Sequence, residues 1–484
     1  MGGQSAARFQ RQQRGHPWDD GRHLFQIAAL RPSRGGANTA TERLARGKAL
    51  RSAVPRSAQA EWSSLLGSRD PIALLEASNA GRMPELVPIR IGRMLRSPFT
   101  FMRGSSALMA HDLSLLPRSG IQTWACGDCH LWNFGLFATA ERNLIFDLND
   151  FDEAHPAPWE WDVKRLASSF VLAGRDNNHS EADCRKAARR SVRSYRQHLR
   201  EYIHASPLDV WYARFDADDL IEAAPTKAIR RSRQSMAAKA RRRIADHLFP
   251  KITTLADGHC RLTDQPPVLT HVCHGELEQR ISEDLEDYRQ SLSDERRVLL
   301  GRYTLEDVAL KVVGIGSVGT RCLVALYLSE DGHPLILQIK EASPSVLEPY
   351  TQPSTLPNHG QRVVMGQRLM QSGSDLFLGW FRSRTGNDFF VRQLRDMKMS
   401  YPIEDISPLR LQHYADYCGW SLARAHARGG DAATISGYLG QGDAADQAIE
   451  TFAITYADQI ERDHASLKAA VKAGRVEALI ETDR

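Results

Sequence analysis

The chain has 484 residues, of which 42% are hydrophobic and 25% charged; this ordinary globular composition excludes a disordered, collagenous or disulfide-scaffold protein and leaves room for two or three lobes. The net charge of +5 is unevenly placed: residues 1–60 hold 11 Lys/Arg against 3 Asp/Glu, a net of +8, so residues 61–484 hold 52 basic and 55 acidic groups, a net of −3. No stretch approaches the roughly 18 to 20 apolar residues of a membrane-spanning helix, and no basic patch followed by an apolar core opens the chain, so the expectation is a cytoplasmic protein without a membrane partner.

In chain order, residues 1–60 are rich in Gly, Ser, Gln and Arg and are expected to form a basic disordered tail; nucleic-acid binding is entertained only there. From Glu61 to about residue 120, short helices alternate with loops. The stretches IQTWACGDCHLWNFG, NLIFDLNDFDEA and WEWDVKRLASSFVLAG then read as strand, loop, strand and helix. Residues 180–300 are mostly charged amphipathic helices, and the basic run Arg230 to Arg243 among them needs no more than a solvated helix face. Residues 305–400 are β-rich, interrupted by the helix GQRVVMGQRLMQ, and the chain closes on helices around YADYCGWSLARAHA and AIETFAITYADQIERDHASLKAAV. Seven cysteines spread from Cys126 to Cys418 do not make a secreted disulfide framework. Cys126-Gly-Asp-Cys129-His130 formally matches a haem-attachment pattern, but without companion ligands neither haem nor zinc is expected.

Two clusters carry chemistry. Gly314-Ile-Gly316-Ser-Val-Gly319 is followed by TRCLVALYL, which alternates like a strand, whereas a dinucleotide fold needs a helix at that point. A glycine loop between two strands is the phosphate cover of a kinase-like nucleotide lobe, and Lys340 on the next strand, in LQIKEA, is placed to meet the phosphates. The other cluster is Asp128-Cys-His130-Leu-Trp-Asn133 with a second acidic strand end at Asn149-Asp150-Phe-Asp152. Phosphoryl transfer needs such a set: a carboxylate to accept the hydroxyl proton, and an amide with a second carboxylate to hold Mg²⁺.

The cluster GDxHxxN, the following DFDEA and the W-x-x-D-x-x-R-L-A helix resemble the catalytic and metal loops of aminoglycoside phosphotransferases and choline kinases. The longer string, from GDCHLWNFG through VVGIGSVGTRC and LQIKEAS to LARAHARGGD, is similar over about residues 90–470 to a bacterial family known as domain of unknown function 2252. The kinase resemblance implies Asp128 as catalytic base with His130 beside it, Asn133 and Asp150 as metal ligands, and Gly314, Gly316, Gly319 and Lys340 as nucleotide contacts, with ATP and Mg²⁺ as cofactors. It makes Asp162 the aspartate that steadies the catalytic loop.

The chain departs from that pattern in three places. Cys126 precedes Gly-Asp where those kinases have histidine. The helix GQRVVMGQRLMQ has no acid to pair with Lys340, so Glu341 or Glu348 would have to substitute, or Gln361, Gln367 or Gln371 would bind differently. The catalytic loop also precedes the glycine loop, which requires a circular permutation. His426 and Asp431 in LARAHARGGD are either a rival catalytic pair or an ordinary helix end.

The expectation is therefore an α+β, two-lobed protein-kinase-like fold, circularly permuted: a tail (1–60), a mostly helical lobe with the catalytic and metal loops (61–300, completed by 401–484) and a β-rich nucleotide lobe (301–400). Its expected function is ATP- and Mg²⁺-dependent phosphoryl transfer to an unknown hydroxyl or amine acceptor. The alternatives are a nucleotide-binding pseudoenzyme acting as a regulatory or scaffold module, and a kinase-like protein nucleotidyltransferase.

Overall fold

The run from Tyr303 to Ala342 alternates apolar and polar residues between glycine-bearing turns, which suits antiparallel strands with both faces covered. The computed structural model of the protein describes residues 39–62, 69–256, 258–271, 276–312, 314–394 and 396–481. In chain order its strands are β1 (Gln122–Ala125), β2 (Phe134–Ala138), β3 (Leu144–Leu148), β4 (His155–Pro158), β5 (Thr253–Ala256), β6 (His259–Leu262), β7 (Leu269–Thr270), β8 (Tyr303–Lys311), β9 (Cys322–Ser329), β10 (Pro334–Ala342), β11 (Gly379–Arg382), β12 (Asp388–Gln393) and β13 (Met399–Ser400). Six of them form one antiparallel sheet in the order β11-β12-β10-β9-β8-β7. Smaller sheets join β13, β2 and β3, β1 and β4, and β5 and β6.

Period-two alternation divides β10 between two cores. Leu337 and Ile339 join Tyr288, Leu292, Phe389 and Val391 on one face, while Ile336 joins Leu248, Leu262, Val324 and Leu326 on the other. Lys340, on the Ile336 side by alternation, stands opposite Cys322 of β9 and Phe390 of β12 and is buried.

The helical part is built on Trp159–Asp176, Glu181–Glu201, Pro408–Gly429 and Ala444–Lys472. Trp159 stacks on Tyr195 with ring centroids 5.8 Å apart. The Glu181–Glu201 and Pro408–Gly429 helices approach so closely that a Cβ at Gly419 would lie 2.2 Å from the Ser191 carbonyl oxygen, so only glycine fits there. Tyr414, on the Pro408–Gly429 helix, donates its hydroxyl to the carbonyls of Leu131 (2.7 Å) and Phe134 (3.1 Å) and so braces the loop before β2. Arg424 on the same helix is fully buried against Asp147 of β3.

The architecture is mixed α/β with several antiparallel sheets, and it moves two expected boundaries. The tail expected to run disordered to residue 60 contains a helix, Ala40–Ala49, with a Thr39/Glu42 capping box; its Arg43 and Arg46 pair with Asp431, and Gly47 and Leu44 press on Thr434 and Gly437. Residues 1–38 lie outside the described residues. The boundary expected at 300 falls near 245, because Leu248, Leu262, Ile281, Leu285 and Tyr288 supply the cores on either face of the large sheet. The Arg230–Arg243 run is largely the exposed face of the helix Lys227–Arg241, with Arg233 buried against Tyr417. Among the described residues no helix is long and apolar enough to cross a membrane.

Candidate functional site

A cavity of about 450 Å³ opens between the large sheet and the helical part. Of the eight residues singled out in the sequence, seven line it: Asp128, His130, Asn133, Asp150, Gly314, Gly316 and Lys340. Gly319 does not. It sits at φ +91° with Arg82 packed against it, and its carbonyl accepts the Met83 amide at 2.7 Å, so it fastens the glycine loop to the segment before the helix Val87–Met94.

Asp128 follows β1 on a turn made by Gly127 at φ +77°. The turn is anchored from beneath by Asp162 in the first turn of the helix Trp159–Asp176, whose carboxylate accepts the amides of Cys126 (2.7 Å) and Gly127 (3.0 Å). His426 Nε2 donates to the same carboxylate at 3.1 Å and its Nδ1 is 2.9 Å from the Tyr195 hydroxyl. His426 is thus a fully buried brace. Asp431 caps the next helix and takes Arg43 and Arg46, so the two form no catalytic pair. The Cys126, Cys129 and Asp162 ligand atoms lie within 4.8 Å of one another; burial pushes both thiols up, Cys129 to about 11, and the Cys126 thiol donates to Asp162.

A Cβ at residue 127 would stand 2.4 Å from the Glu153 carbonyl oxygen, so Gly127 is also where the Asp128 turn meets the loop after β3. Gly127→Ala is expected to cost about 1–2 kcal/mol for the left-handed backbone alone, with the clash adding to it. Chemical denaturation reads the loss, and a Gly386→Ala control, where the φ is similarly positive but nothing lies near, should lose only the backbone part.

Asp128 is not a free carboxylate. Arg165, three residues beyond Asp162 on the same helix, binds its Oδ1 through Nε at 2.6 Å and through a second nitrogen, and also donates to the Met102 carbonyl at 2.8 Å. Burial raises the Asp128 carboxyl even so, against the opposing pull of Arg165 and Arg103. His130 Nε2 is 3.7 Å from Asp128 Oδ2; burial, with Arg103 and Arg165 nearby, drives its pKa well below the ordinary value, so the ring is neutral. Asn133 donates its amide nitrogen to the Asp128 carbonyl at 2.8 Å, a bond that leaves the amide oxygen for a cation.

Across the cavity, Lys340 is paired with Asp152, which also accepts the Ser317 hydroxyl at 3.1 Å. Burial raises the Asp152 carboxyl, but Lys340, Arg392 and these hydrogen bonds overcome it and hold it down at about 2. Asp150 is raised by burial and by its neighbour Asp152. Lys340 therefore has its acid partner on the loop after β3, not on the helix His359–Met370. Of the residues expected to substitute, Glu341 pairs with Arg321, Gln367 bonds Gln371, and Gln371 bonds the Leu148 carbonyl. Glu348 lies by Arg362. Arg362 itself, buried on that helix, donates to the carbonyls of Asp152, Ala154 and Ser343 at 2.7–2.9 Å and holds the acidic loop in place.

Among the cavity residues that escaped the sequence reading, four carry long polar side chains. Arg103 lies 4.0 Å over the Trp132 ring with its Nε buried and unbonded. Gln338 takes Arg392 Nε at 3.1 Å, and Arg392 and Lys398 both reach the Asn149 carbonyl at 3.4 Å. Burial, with Arg392 adjacent, lowers Lys398 to about 7. Only Arg392 had a local signal, a charge ending an apolar strand in DFFVRQL.

The donors facing the cavity are oxygen-rich. Asn133 offers an amide oxygen and Asp150 a carboxylate, and Asp152, which does not itself line the cavity, carries a buried Oδ1 without a partner; such a set fits a hard divalent cation such as Mg²⁺. The fold and site together define a mixed α/β protein with a glycine loop and a buried lysine facing an acidic, oxygen-donor loop. The chain belongs to the family described as "Uncharacterized protein conserved in bacteria (DUF2252)", which it matches over residues 82–470. Neither the curated proteins nor the solved structures give a match.

Proposed function

We propose that the protein is a circularly permuted, kinase-like phosphotransferase that uses ATP and Mg²⁺ and acts on a hydroxyl or amine acceptor. The observation that supports this best is the meeting of Gly314–Ser317, Lys340 and the Asp128/Asn133/Asp150 set in one cavity from segments some 190 positions apart in the sequence. Five cations (Arg103, Arg165, Lys340, Arg392 and protonated Lys398) stand by three carboxylates (Asp128, Asp150 and Asp152). The excess of two positive charges suits the two negative charges of a metal-bound triphosphate. Asn133 and Asp150, with Asp152 behind them, are the residues to hold Mg²⁺, which supplies positive charge to the phosphate oxygens. Asp128 receives the acceptor proton, and the glycine loop passes close to it: a Cβ at Gly316 would be 3.9 Å from Asp128 Oδ2, an ordinary contact.

A second reading, a nucleotide-binding pseudoenzyme, is favoured by the Arg165 clamp on Asp128, which weakens that carboxylate as a base. Incubation with γ- and α-labelled ATP, with and without Mg²⁺, separates the cases. Transfer or release of γ-label supports the phosphotransferase; α-label incorporated into protein means nucleotidyl transfer; binding without turnover means the pseudoenzyme.

Lys398 gives the site a pH signature. It faces Arg392 and Lys340, which lower its pKa along with burial, and Asp150 and Asp152, which raise it. A bound polyanion requires the charged form, so affinity for metal-free tripolyphosphate is expected to hold steady just below pH 7. Above it, affinity falls by up to about tenfold per pH unit until the pKa of the bound state is reached. Lys398→Arg, charged throughout, should flatten that slope in calorimetric titrations.

A further inference from the structure

A second, larger cavity of about 790 Å³ adjoins the first, and the two share Arg103, Trp132, Gly314 and Ile315. Their walls differ in kind. Apart from Trp132, Ile315 and Leu394, the smaller cavity is lined by polar, charged or glycine residues. Its far end, beyond Lys340, is closed by Arg392 and Lys398 and by the segment that leads from β12 to β13. Main-chain groups of the described residues there are engaged: Leu394 donates to the Ile336 carbonyl at 3.0 Å, the Asp396 carbonyl accepts the Ala138 amide at 3.2 Å, Met397 donates to the Arg243 carbonyl at 2.8 Å, and Met399 and Ser400 pair with β2. A base placed there would desolvate two cations without compensation and would find those backbone groups spent. That end suits phosphate.

The larger cavity has the opposite character on one side. Phe99, Trp132, Ile315, Ile403, Ile406 and Pro408 contribute an apolar wall, and the Phe99 and Trp132 rings lie 17° from parallel with centroids 6.1 Å apart. Arg103 stands over Trp132 at the junction of the two cavities. The volume falls within the roughly 300–1,000 Å³ of small-molecule sites; Phe99, only 5% exposed, backs Trp132, and the Trp132 ring with the Arg103 guanidinium over it is the kind of surface a base stacks on.

We infer that a nucleotide binds across both cavities, with its base against Phe99 and Trp132 in the larger one and its phosphates running past Arg103 and the glycine-loop tip toward Lys340, Arg392 and Lys398. This inference rests on the nucleotide reading proposed above. It assigns the connector end of the cleft to phosphate, and the space beyond the glycine-loop tip to the base instead of the acceptor.

The test is calorimetric titration of the full-length protein with ATP and with inorganic tripolyphosphate, both with Mg²⁺. Trp132→Ala and Phe99→Ala are expected to weaken ATP binding roughly tenfold or more and to leave tripolyphosphate binding unchanged, which also reports that each variant is folded; Trp132→Phe should restore most of the ATP affinity. Unchanged ATP affinity in both alanine variants, with tripolyphosphate binding intact, would overturn the inference and give the larger cavity to the acceptor. If wild-type protein binds neither ligand, the nucleotide reading itself fails, and the inference with it.

Discussion

Lys340→Met is expected to lower stability by about 3 kcal/mol at pH 7 and to abolish measurable MgATP binding. The ammonium is almost wholly enclosed and is the ionic partner of Asp152, whose side chain is 27% exposed, with Asp150 close by. Removing one member of a buried pair leaves a charge without compensation, a loss of about 3–5 kcal/mol, and the partial exposure of Asp152 places this case at the lower end. The variant should therefore be rescued by Asp152→Asn, which removes the stranded charge, so the double variant should be more stable than Lys340→Met alone. The pH dependence has a definite sign. Asp152 is depressed in the folded state, so its contribution is complete above the unfolded carboxyl pKa of about 3.9 and is lost as pH falls toward about 2. The gap between wild type and Lys340→Met should narrow over that interval. Urea denaturation at a series of pH values measures it, and a gap that stays constant would mean Asp152 does not depend on Lys340.

The glycine loop was legible because TRCLVALYL alternates with period two directly after Gly319. That pattern ruled out the helix of a dinucleotide fold, and β8 and β9 pair as antiparallel strands on either side of the loop. The helix Ala40–Ala49 is not visible in the composition of residues 1–60 taken as one basic stretch, although Thr39 and Glu42 stand at capping-box spacing. The boundary near 245 was illegible for another reason. Hydrophobic periodicity shows that a helix has an apolar face and says nothing about which core that face enters. The same limit applies to the site. Asp128, Asn133, Asp150 and Lys340 could be read because a local motif carries them, whereas Lys340's partner had to be sought by analogy on the following helix. That helix carries Arg362, of opposite sign, which binds main-chain carbonyls of the acidic loop and so assists Asp152 in filling the role indirectly. Arg165 and Lys398 lie in segments where a charge is ordinarily solvent-facing, and only the tertiary fold turns them inward.

Asp128→Asn and Asp150→Asn should divide the two halves of the reaction. On the proposed function Asp128 takes the acceptor proton, in which case its amide variant should lower turnover by roughly 10²-fold or more and leave MgATP affinity nearly unchanged. If Asp150 is the proposed carboxylate for the cation, its variant should weaken MgATP binding and turnover together, while affinity for metal-free tripolyphosphate holds or rises because a negative charge has left a cationic cavity. The Arg165 clamp adds a competing outcome for Asp128. If the carboxylate serves only to neutralise Arg165, which is almost fully buried, then Asp128→Asn lowers the melting temperature and leaves any turnover proportional to the folded fraction. Arg165→Met distinguishes these roles: freeing the carboxylate at some cost in stability should raise turnover per folded molecule if Asp128 is the base, since an unclamped carboxylate accepts a proton more readily. Turnover that falls in Arg165→Met as far as in Asp128→Asn would instead make the ion pair the functional unit, with its geometry, not the basicity of Asp128, as the quantity the site maintains. Thermal melts, MgATP titrations and γ-label release on the three variants resolve these cases, and equal MgATP affinity in wild type and Asp150→Asn would refute the metal role given to Asp150.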